Sequence, residues 1–423
     1  MPPAPPDLAA TAEFYLDLHR HPELSGAEER TAGRLAARLA ATGYRVETGI
    51  GGHGVAGVLR NGPGPVVLLR AELDALPVEE RTGLPYASTA TAATADGRQV
   101  PVMHACGHDA HLACLAGAAA ELAASAGQWS GTVLVVGQPA EETLTGARAM
   151  LADGLYERFE PPSVVLAQHT APLPAGMVAH GTGPVTAGSV TLEVVVHGRG
   201  GHASAPHLAV DPLPAAAAIV LRLQGVVAQE TGPAEQVVLT VGSLEAGSRA
   251  NVIPDRATLR LTVRGFSEQV LDRVTAAVRR IVRAEAAASG CPQEPTVRTV
   301  SRSGVNLPDP GLTSAVRDAH RAAFGGPRVT GWPPSMATED FPLFGEEGAA
   351  LHGVRGIRTA YWMLGMVGPA QWSAAPGATA AEKLAALPAN HSPEFRPHVG
   401  LTLRTGVTAL VTAATAVLHR PGA

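Results

Sequence analysis

Along most of the chain, short apolar runs bounded by turn-forming residues alternate with segments of helical periodicity. Leu8, Phe14 and Leu18 recur at helical spacing over residues 7–19, and the His-Arg-His-Pro-Glu that follows stops this helix at Pro22. Residues 27–42 read as a second amphipathic helix closed by Gly43. Within residues 65–70, Val66-Val67-Leu68-Leu69 is apolar at every position, which predicts a strand buried on both faces. Residues 132–137 and 163–167 repeat that texture. Each of the three runs is followed by chemistry: Glu72 and Asp74 after the first, Gln138-Pro139-Ala140-Glu141-Glu142 after the second, Gln168-His169 after the third. Ligands and catalytic groups of open α/β sheets gather at the carboxyl ends of strands, so the three ends point to one composite site.

From about residue 187 the pattern changes. Val190, Leu192, Val194 and Val196 alternate with other residues, as in a strand with one solvated face. A glycine-rich turn at 198–202, an Ala-rich helical run over 211–227, alternating strands at 236–244 and 257–263 and an amphipathic helix over 268–288 follow. Together they form a compact α+β unit. Beyond about residue 305 come a helix over 313–324, the turn Thr338-Glu339-Asp340-Phe341, the tetrapeptide Asn390-His391-Ser392-Pro393 and a last helix over 401–418. Because chemistry-type residues flank the α+β unit, it is predicted to interrupt a first domain: residues 1–186 and 301–423 form the catalytic domain and 187–300 an insertion.

The densest chemistry lies in residues 103–111, Met-His-Ala-Cys-Gly-His-Asp-Ala-His. Three imidazoles, a thiol and a carboxylate fall there within nine residues, at a turn leading into an Ala-rich helical run over 112–122.

Composition narrows the reading further. A chain of 423 residues with 46% hydrophobic content can bury a large core in at least two domains. A net charge of -5, with Lys383 the only lysine, gives no basic surface for nucleic acid or an anionic membrane. Cys106, Cys114 and Cys291 are an odd number, unsuited to a disulfide framework and in keeping with a reducing compartment. Residues 1–6 lack the basic and apolar regions of a secretory signal, and no uncharged apolar run approaches the roughly 20 residues that span a bilayer. A cytoplasmic location is expected.

Asp74-Ala75-Leu76-Pro77, the His104 to His111 cluster, Gln138-Pro139-Ala140-Glu141-Glu142, Gly201-His202-Ala203-Ser204, Asn251-Val252-Ile253-Pro254, Glu339-Asp340-Phe341 and His391-Ser392-Pro393 occur in this order. In that order the chain resembles the metal-dependent amidohydrolases related to hippurate hydrolase, aminoacylase and indole-acetyl-amino-acid hydrolase, within the larger group that includes glutamate carboxypeptidase. The resemblance implies a zinc-exopeptidase-like α/β catalytic domain with a mixed central sheet flanked by helices. It also implies an inserted, smaller ferredoxin-like α+β domain serving as lid and dimerisation surface, hence a homodimer, and two divalent metal ions per subunit.

Position by position, the resemblance implies Cys106, His108, Glu142, His169 and His391 as metal ligands, with Cys106 suited to bridge because a thiolate has lone pairs to share. Imidazole, carboxylate and thiolate together suit zinc, manganese or cobalt. Glu141 is the implied general base and Asp74 the residue orienting a ligand. His202, Asn251 and Arg264 are the implied substrate-binding residues, Arg264 clamping a carboxylate and His202 stabilising an oxyanion. The expected substrate is a small amide, an N-acyl amino acid or a related conjugate.

Two features depart from the subfamily: Glu72 stands where an Asp is usual, and the segment 88–99, expected as a loop, is longer. Three other readings compete. Cys106 with His108 is the pair of a cysteine hydrolase, but no oxyanion hole is evident and the paired glutamates would be idle. A deacylase of small peptides or N-acetylated metabolites uses the same residues on another substrate, and a catalytically silent binding or assembly protein would keep the fold, against which stands the presence of Glu141 and every expected ligand.

Overall fold

The computed structural model describes residues 8–94 and 97–418. Residues 1–6, expected to form no secretory signal, and Asp7, expected to open the first helix, lie outside them. Strands Val66–Glu72 and Gly131–Gln138 are buried at every position, which requires cover on both faces. They pair in parallel, as Val66–Glu72 does with Val164–Pro174, and Val164–Pro174 does in turn with Arg358–Val367. The hairpin Arg45–Ile50 and Gly54–Asn61 adds antiparallel strands at one edge, and Val178–His180 with Val329–Gly331 completes an eight-stranded mixed sheet at the other.

Alternate residues of one strand serve opposite faces. Val67, Leu69, Val133 and Val135 pack with Phe14, Leu35, Leu112, Leu115, Leu403 and Leu410 of the helices on one side. Leu68, Leu134 and Val136 pack with Met150, Leu155, Phe341 and Phe344 on the other. Full burial of each such side chain contributes about 1.5–3 kcal/mol, so the sheet is a rigid base for whatever leaves its strand ends. Helix Val399–Val417 is long and apolar enough to cross a membrane by composition, but its apolar residues Leu403, Val407, Leu410 and Val411 belong to this core.

The chain divides into two compact units: Met1–Val185, Pro308–Pro333 and Asp340–Ala423 in one, Thr186–Leu307 with Pro334–Glu339 in the other. The second holds a four-stranded antiparallel sheet in the order Val237–Ala246, Arg256–Gly265, Gly188–His197, Thr296–Ser303. Its inward residues Val190, Leu192, Val194, Leu259 and Leu261 pack against helices Pro212–Leu223 and Glu268–Ala288. Asp211 caps the first of these helices by accepting the Leu213 N–H.

Several elements differ from the sequence expectation. The third apolar run continues as one strand from Val164 to Pro174, so His169 emerges from mid-strand. Pairing with Val66–Glu72 stops at Ala167, and that departure of the neighbour opens the strand's flank at His169. The expected loop at 88–99 holds a small hairpin, Thr91–Ala93 with Gln99–Pro101. The helical run over 211–227 breaks at Gln224 and Gly225 into Pro212–Leu223 and Val226–Glu230. The hairpin at 45–61 and the core strand Arg358–Val367 had no counterpart in the periodicity reading.

Candidate metal centre

Helix His108–Ala124 begins at Gly107, which has φ +83 and would place a Cβ 2.5 Å from Thr170 Oγ1. Only glycine fits that junction, and it sets Cys106 and His108 on one side of the turn. The Nδ1–H of His108 donates to the Asp74 carbonyl at 2.8 Å. The proton is thereby fixed on Nδ1, and buried Nε2 carries its lone pair with no hydrogen-bond partner. His169 repeats the device: Nδ1 donates to the Thr170 carbonyl at 2.9 Å, and Nε2 lies 3.5 Å from Cys106 Sγ.

His391 arrives from a distant turn, in the left-handed region at φ +71, with its N–H donating to the Ala105 carbonyl at 2.7 Å. Its Nε2 is 3.4 Å from Glu142 Oε1. Asn390, to which the sequence assigned no role, ties the pieces together, since Nδ2 reaches the carbonyls of Cys106 and Thr170, both at 3.2 Å. Its only signal in the sequence was adjacency to His391.

Glu141 and Glu142 sit in a tight turn after strand Gly131–Gln138. Gly146 closes this turn, where a Cβ would fall 1.5 Å from the Pro139 carbonyl oxygen. The Glu142 N–H donates to Asp74 Oδ2 at 2.9 Å. His108 Nε2 is 3.8 Å from Glu141 Oε2 and 3.8 Å from Glu142 Oε1.

Among the triads whose donor atoms lie within 4.8 Å of one another, three overlap through Cys106, His108 and Glu142: Cys106, His108 and His169; Cys106, Glu142 and His391; His108, Glu141 and Glu142. Two ligand bonds of about 2.0–2.3 Å span up to about 4.6 Å, which covers the 3.5 Å between Cys106 and His169, the 3.4 Å between Glu142 and His391 and the 3.8 Å between His108 and Glu142. Cys106 is common to the first two triads. Buried His108 Nε2 makes no hydrogen bond, and buried Glu142 Oε1 meets the imidazoles of His391 and His108 in ion-pair contacts, so both fit a cation.

The electrostatics agree. Burial pushes the Cys106 thiol up, but the imidazoles of His169, His108 and His391 overcome this and hold it well below the usual thiol range. Burial lowers His169, yet the Cys106 thiolate and Glu72 carry it to about 9. Cys106 and Glu142 raise His391 to about 10. Burial, then the thiolate, raise Glu142. Thiolate and carboxylates thus face the imidazoles in one buried cluster, a donor set that suits a divalent ion.

Two other histidines of the 103–111 cluster stand apart. His111 uses both nitrogens, Nδ1 with Glu72 Oε2 at 2.7 Å and Nε2 accepting the Thr170 N–H at 2.8 Å, so no lone pair remains for a metal. His104 is buried without hydrogen-bond partners, and burial lowers it to about 4. Beneath them, Glu72 pairs with buried Arg70, whose Nη2 reaches Asp340 Oδ1 at 3.1 Å. Gln138 Nε2 donates to both oxygens of Asp340 at 2.8 and 2.9 Å.

His202, Asn251 and Arg264 all belong to the second unit. The two-stranded pairing of Gly201–His202 with Val252–Ile253 brings the first two together, and the Ala203 N–H donates to the Asn251 carbonyl at 3.2 Å. Exposed His202 accepts the Ser204 N–H on Nδ1 at 3.1 Å. Arg264, half-buried on strand Arg256–Gly265, donates from Nη1 to the Met336 carbonyl at 2.7 Å.

The chain is similar to known proteins over most of its length. The family model for peptidase family M20/M25/M40 matches residues 68–380. An N-acetyl-L-cysteine deacetylase of Bacillus subtilis is 35% identical over 77% of this chain and 75% of its own. The hippurate hydrolase of Campylobacter jejuni is 34% identical over 78% of this chain and 83% of its own. Among solved structures, a dinuclear metal binding peptidase from the M20 family of Bacillus subtilis superposes with a TM-score of 0.71 at 27% identity, covering 96% of this chain and 98% of that one. The chain belongs to peptidase family M20/M25/M40.

Proposed function

We propose that this protein is a dinuclear-metal amidohydrolase that cleaves the amide bond of N-acyl amino acids or closely related conjugates. The observation that carries the reading is the sharing of Cys106 by two ligand triads, with Glu141 at their margin. Cys106, His108 and His169 would hold one divalent ion and Cys106, Glu142 and His391 the other, with zinc, manganese and cobalt all suited to the donor set. When bound, the ions supply Lewis acidity for the carbonyl and acidify water.

The chain's own residues do the rest. Glu141 takes the proton of the attacking water on its carboxylate and returns it to the leaving amide nitrogen. Asp74 orients His108 through its carbonyl and fixes the glutamate turn through Oδ2. His202, with Nδ1 engaged by the Ser204 N–H, carries the proton of its neutral ring on Nε2 and can donate it toward a developing oxyanion. Arg264 would pair with the substrate carboxylate, and Asn251 would bind the substrate beside His202.

We place residues 1–186 and 301–423 in the catalytic domain and 187–300 in the lid, whose exposed Leu208, Leu213, Leu221, Val238 and Leu244 fit a homodimer contact. A cytoplasmic setting suits its three free cysteines. The named activities of two relatives, deacetylation of N-acetylcysteine and hydrolysis of hippurate, support an N-acyl amino acid as substrate. A panel of N-acetyl and N-benzoyl amino acids, assayed with metal-reconstituted and chelated enzyme, tests the reading. Hydrolysis that depends on metal supports it, and hydrolysis by the chelated enzyme sinks it.

A further inference from the structure

Three non-glycine residues among those described have left-handed backbone, and two of them, Ala140 at φ +49 and Leu144 at φ +56, bracket Glu141 and Glu142. An L-residue in that region costs about 1–2 kcal/mol and persists only where its surroundings impose it. Part of the restraint is internal to the turn: the Leu144 N–H donates to the Glu141 carbonyl at 2.7 Å, and those of Thr145 and Gly146 donate to the Ala140 carbonyl at 3.2 Å. A further contact comes from more than a hundred residues earlier in the chain. Buried Glu28 accepts the Ala140 N–H on Oε1 at 2.8 Å, and the same oxygen accepts the Gly26 N–H at 2.9 Å.

Glu28 is itself held in place. Glu23 caps helix Glu29–Ala41 by accepting the N–H groups of Arg30 at 3.0 Å and Thr31 at 2.7 Å. The Glu23 carbonyl accepts the Ala75 N–H at 2.8 Å, so the segment is stitched to the stretch that carries Asp74. Ser25 Oγ donates to Asp74 Oδ2 at 2.7 Å, the oxygen that also accepts the Glu142 N–H. One short segment thus grips the glutamate turn twice, at Ala140 through Glu28 and at Glu142 through Ser25 and Asp74.

We infer that Glu28 and Ser25 are positioning residues, a clamp that holds the left-handed turn at Ala140 and so aims the Glu141 carboxylate. The inference rests on the reading of Glu141 as general base. What the clamp supplies at Ala140 is a hydrogen-bond acceptor, and this makes the role separable from charge and from packing. Glutamine keeps the acceptor and leucine keeps the bulk without it. Glycine at 140 takes the left-handed conformation without a Cβ penalty and so lessens the need for the grip.

Steady-state kinetics, metal content and melting temperature of the full chain test the clamp in four variants, with Glu141→Gln as reference. Glu28→Leu is expected to lower kcat by about 10–100-fold while KM stays within about twofold, because misaiming a base affects the transition state more than the ground state. Glu28→Gln is expected to stay within about threefold of the parent kcat, and Ala140→Gly to recover most of the loss in the Glu28→Leu background. Ser25→Ala, which removes only a hydroxyl and tests the clamp in a chain that folds, is expected to lose about threefold to tenfold in kcat at unchanged metal content. Unchanged kcat in Ser25→Ala, or equal losses in Glu28→Leu and Glu28→Gln, overturns the clamp. Turnover retained by Glu141→Gln overturns instead the reading of Glu141 on which the clamp rests.

Discussion

Asp74 meets His108 twice: its carbonyl accepts the His108 Nδ1–H at 2.8 Å and its carboxylate Oδ1 lies 3.4 Å from the same nitrogen, while Oδ2 holds the glutamate turn and Ser25. The residue therefore sets the tautomer of one candidate ligand and the position of another while belonging to none of the candidate ligand triads. Asp74→Ala keeps the carbonyl and loses the carboxylate. Metal affinity, measured by competition with a chromophoric chelator, is expected to fall by about 10–100-fold.

Glu141→Gln removes the proposed proton acceptor and preserves shape. Its kcat is expected to fall by about 10²–10⁴-fold with metal content unchanged, as read by kinetics and elemental analysis on the same preparation.

Cys106 is the donor shared between triads, whereas buried Cys114 only approaches the Leu403 carbonyl, at 3.8 Å. In cobalt-substituted protein the thiolate-to-cobalt charge-transfer absorption is expected to vanish in Cys106→Ala and to survive in Cys114→Ala. Cys106→Ala is also expected to retain less than the parent's metal.

Two buried histidine sites bound the pH range of stability. His180 Nε2 lies 3.0 Å from His320 Nδ1, whose Nε2 donates to the Ala409 carbonyl at 3.0 Å. Burial lowers the pair to about 3 and about 4. Their folded values lie below the unfolded value of about 6.5, so their contribution is complete above pH 6.5 and is lost as pH falls toward 4 and 3.

His19 behaves in the opposite way. Burial lowers it, but Asp109 at 2.6 Å and Glu80 at 3.2 Å outweigh this and raise it to about 9. Its contribution is complete below about pH 6.5 and is lost as pH rises through 9. Denaturant melts across pH are expected to show the acid limb reduced in His320→Gln and the alkaline limb reduced in His19→Gln.

The ligand-type residues were legible because chemistry-bearing side chains followed apolar runs: Glu72 and Asp74, Glu141 and Glu142, and His169 all announced themselves in this way. The exception in detail, His169 in mid-strand, shows the limit, since periodicity reports apolar residues and not where a neighbouring strand departs. Glu28 and Ser25 were illegible because a polar residue in a short connection looks solvated until the chain brings its partner, and Ala140 is 112 positions away. Arg70 was hidden for a related reason: an arginine ending an apolar run reads as a strand boundary, yet here it is fully buried by pairing with Glu72 and Asp340. Strand Arg358–Val367 was missed although it is buried over most of its length, because no ligand-type residue follows it to draw attention.

The most direct test of the account is a titration of exhaustively chelated protein with manganese, zinc or cobalt, following hydrolysis of an N-acyl amino acid against equivalents of metal added. The account predicts no turnover in the apoprotein and a rise that levels off at two equivalents per chain. Full turnover in the metal-free protein would contradict it.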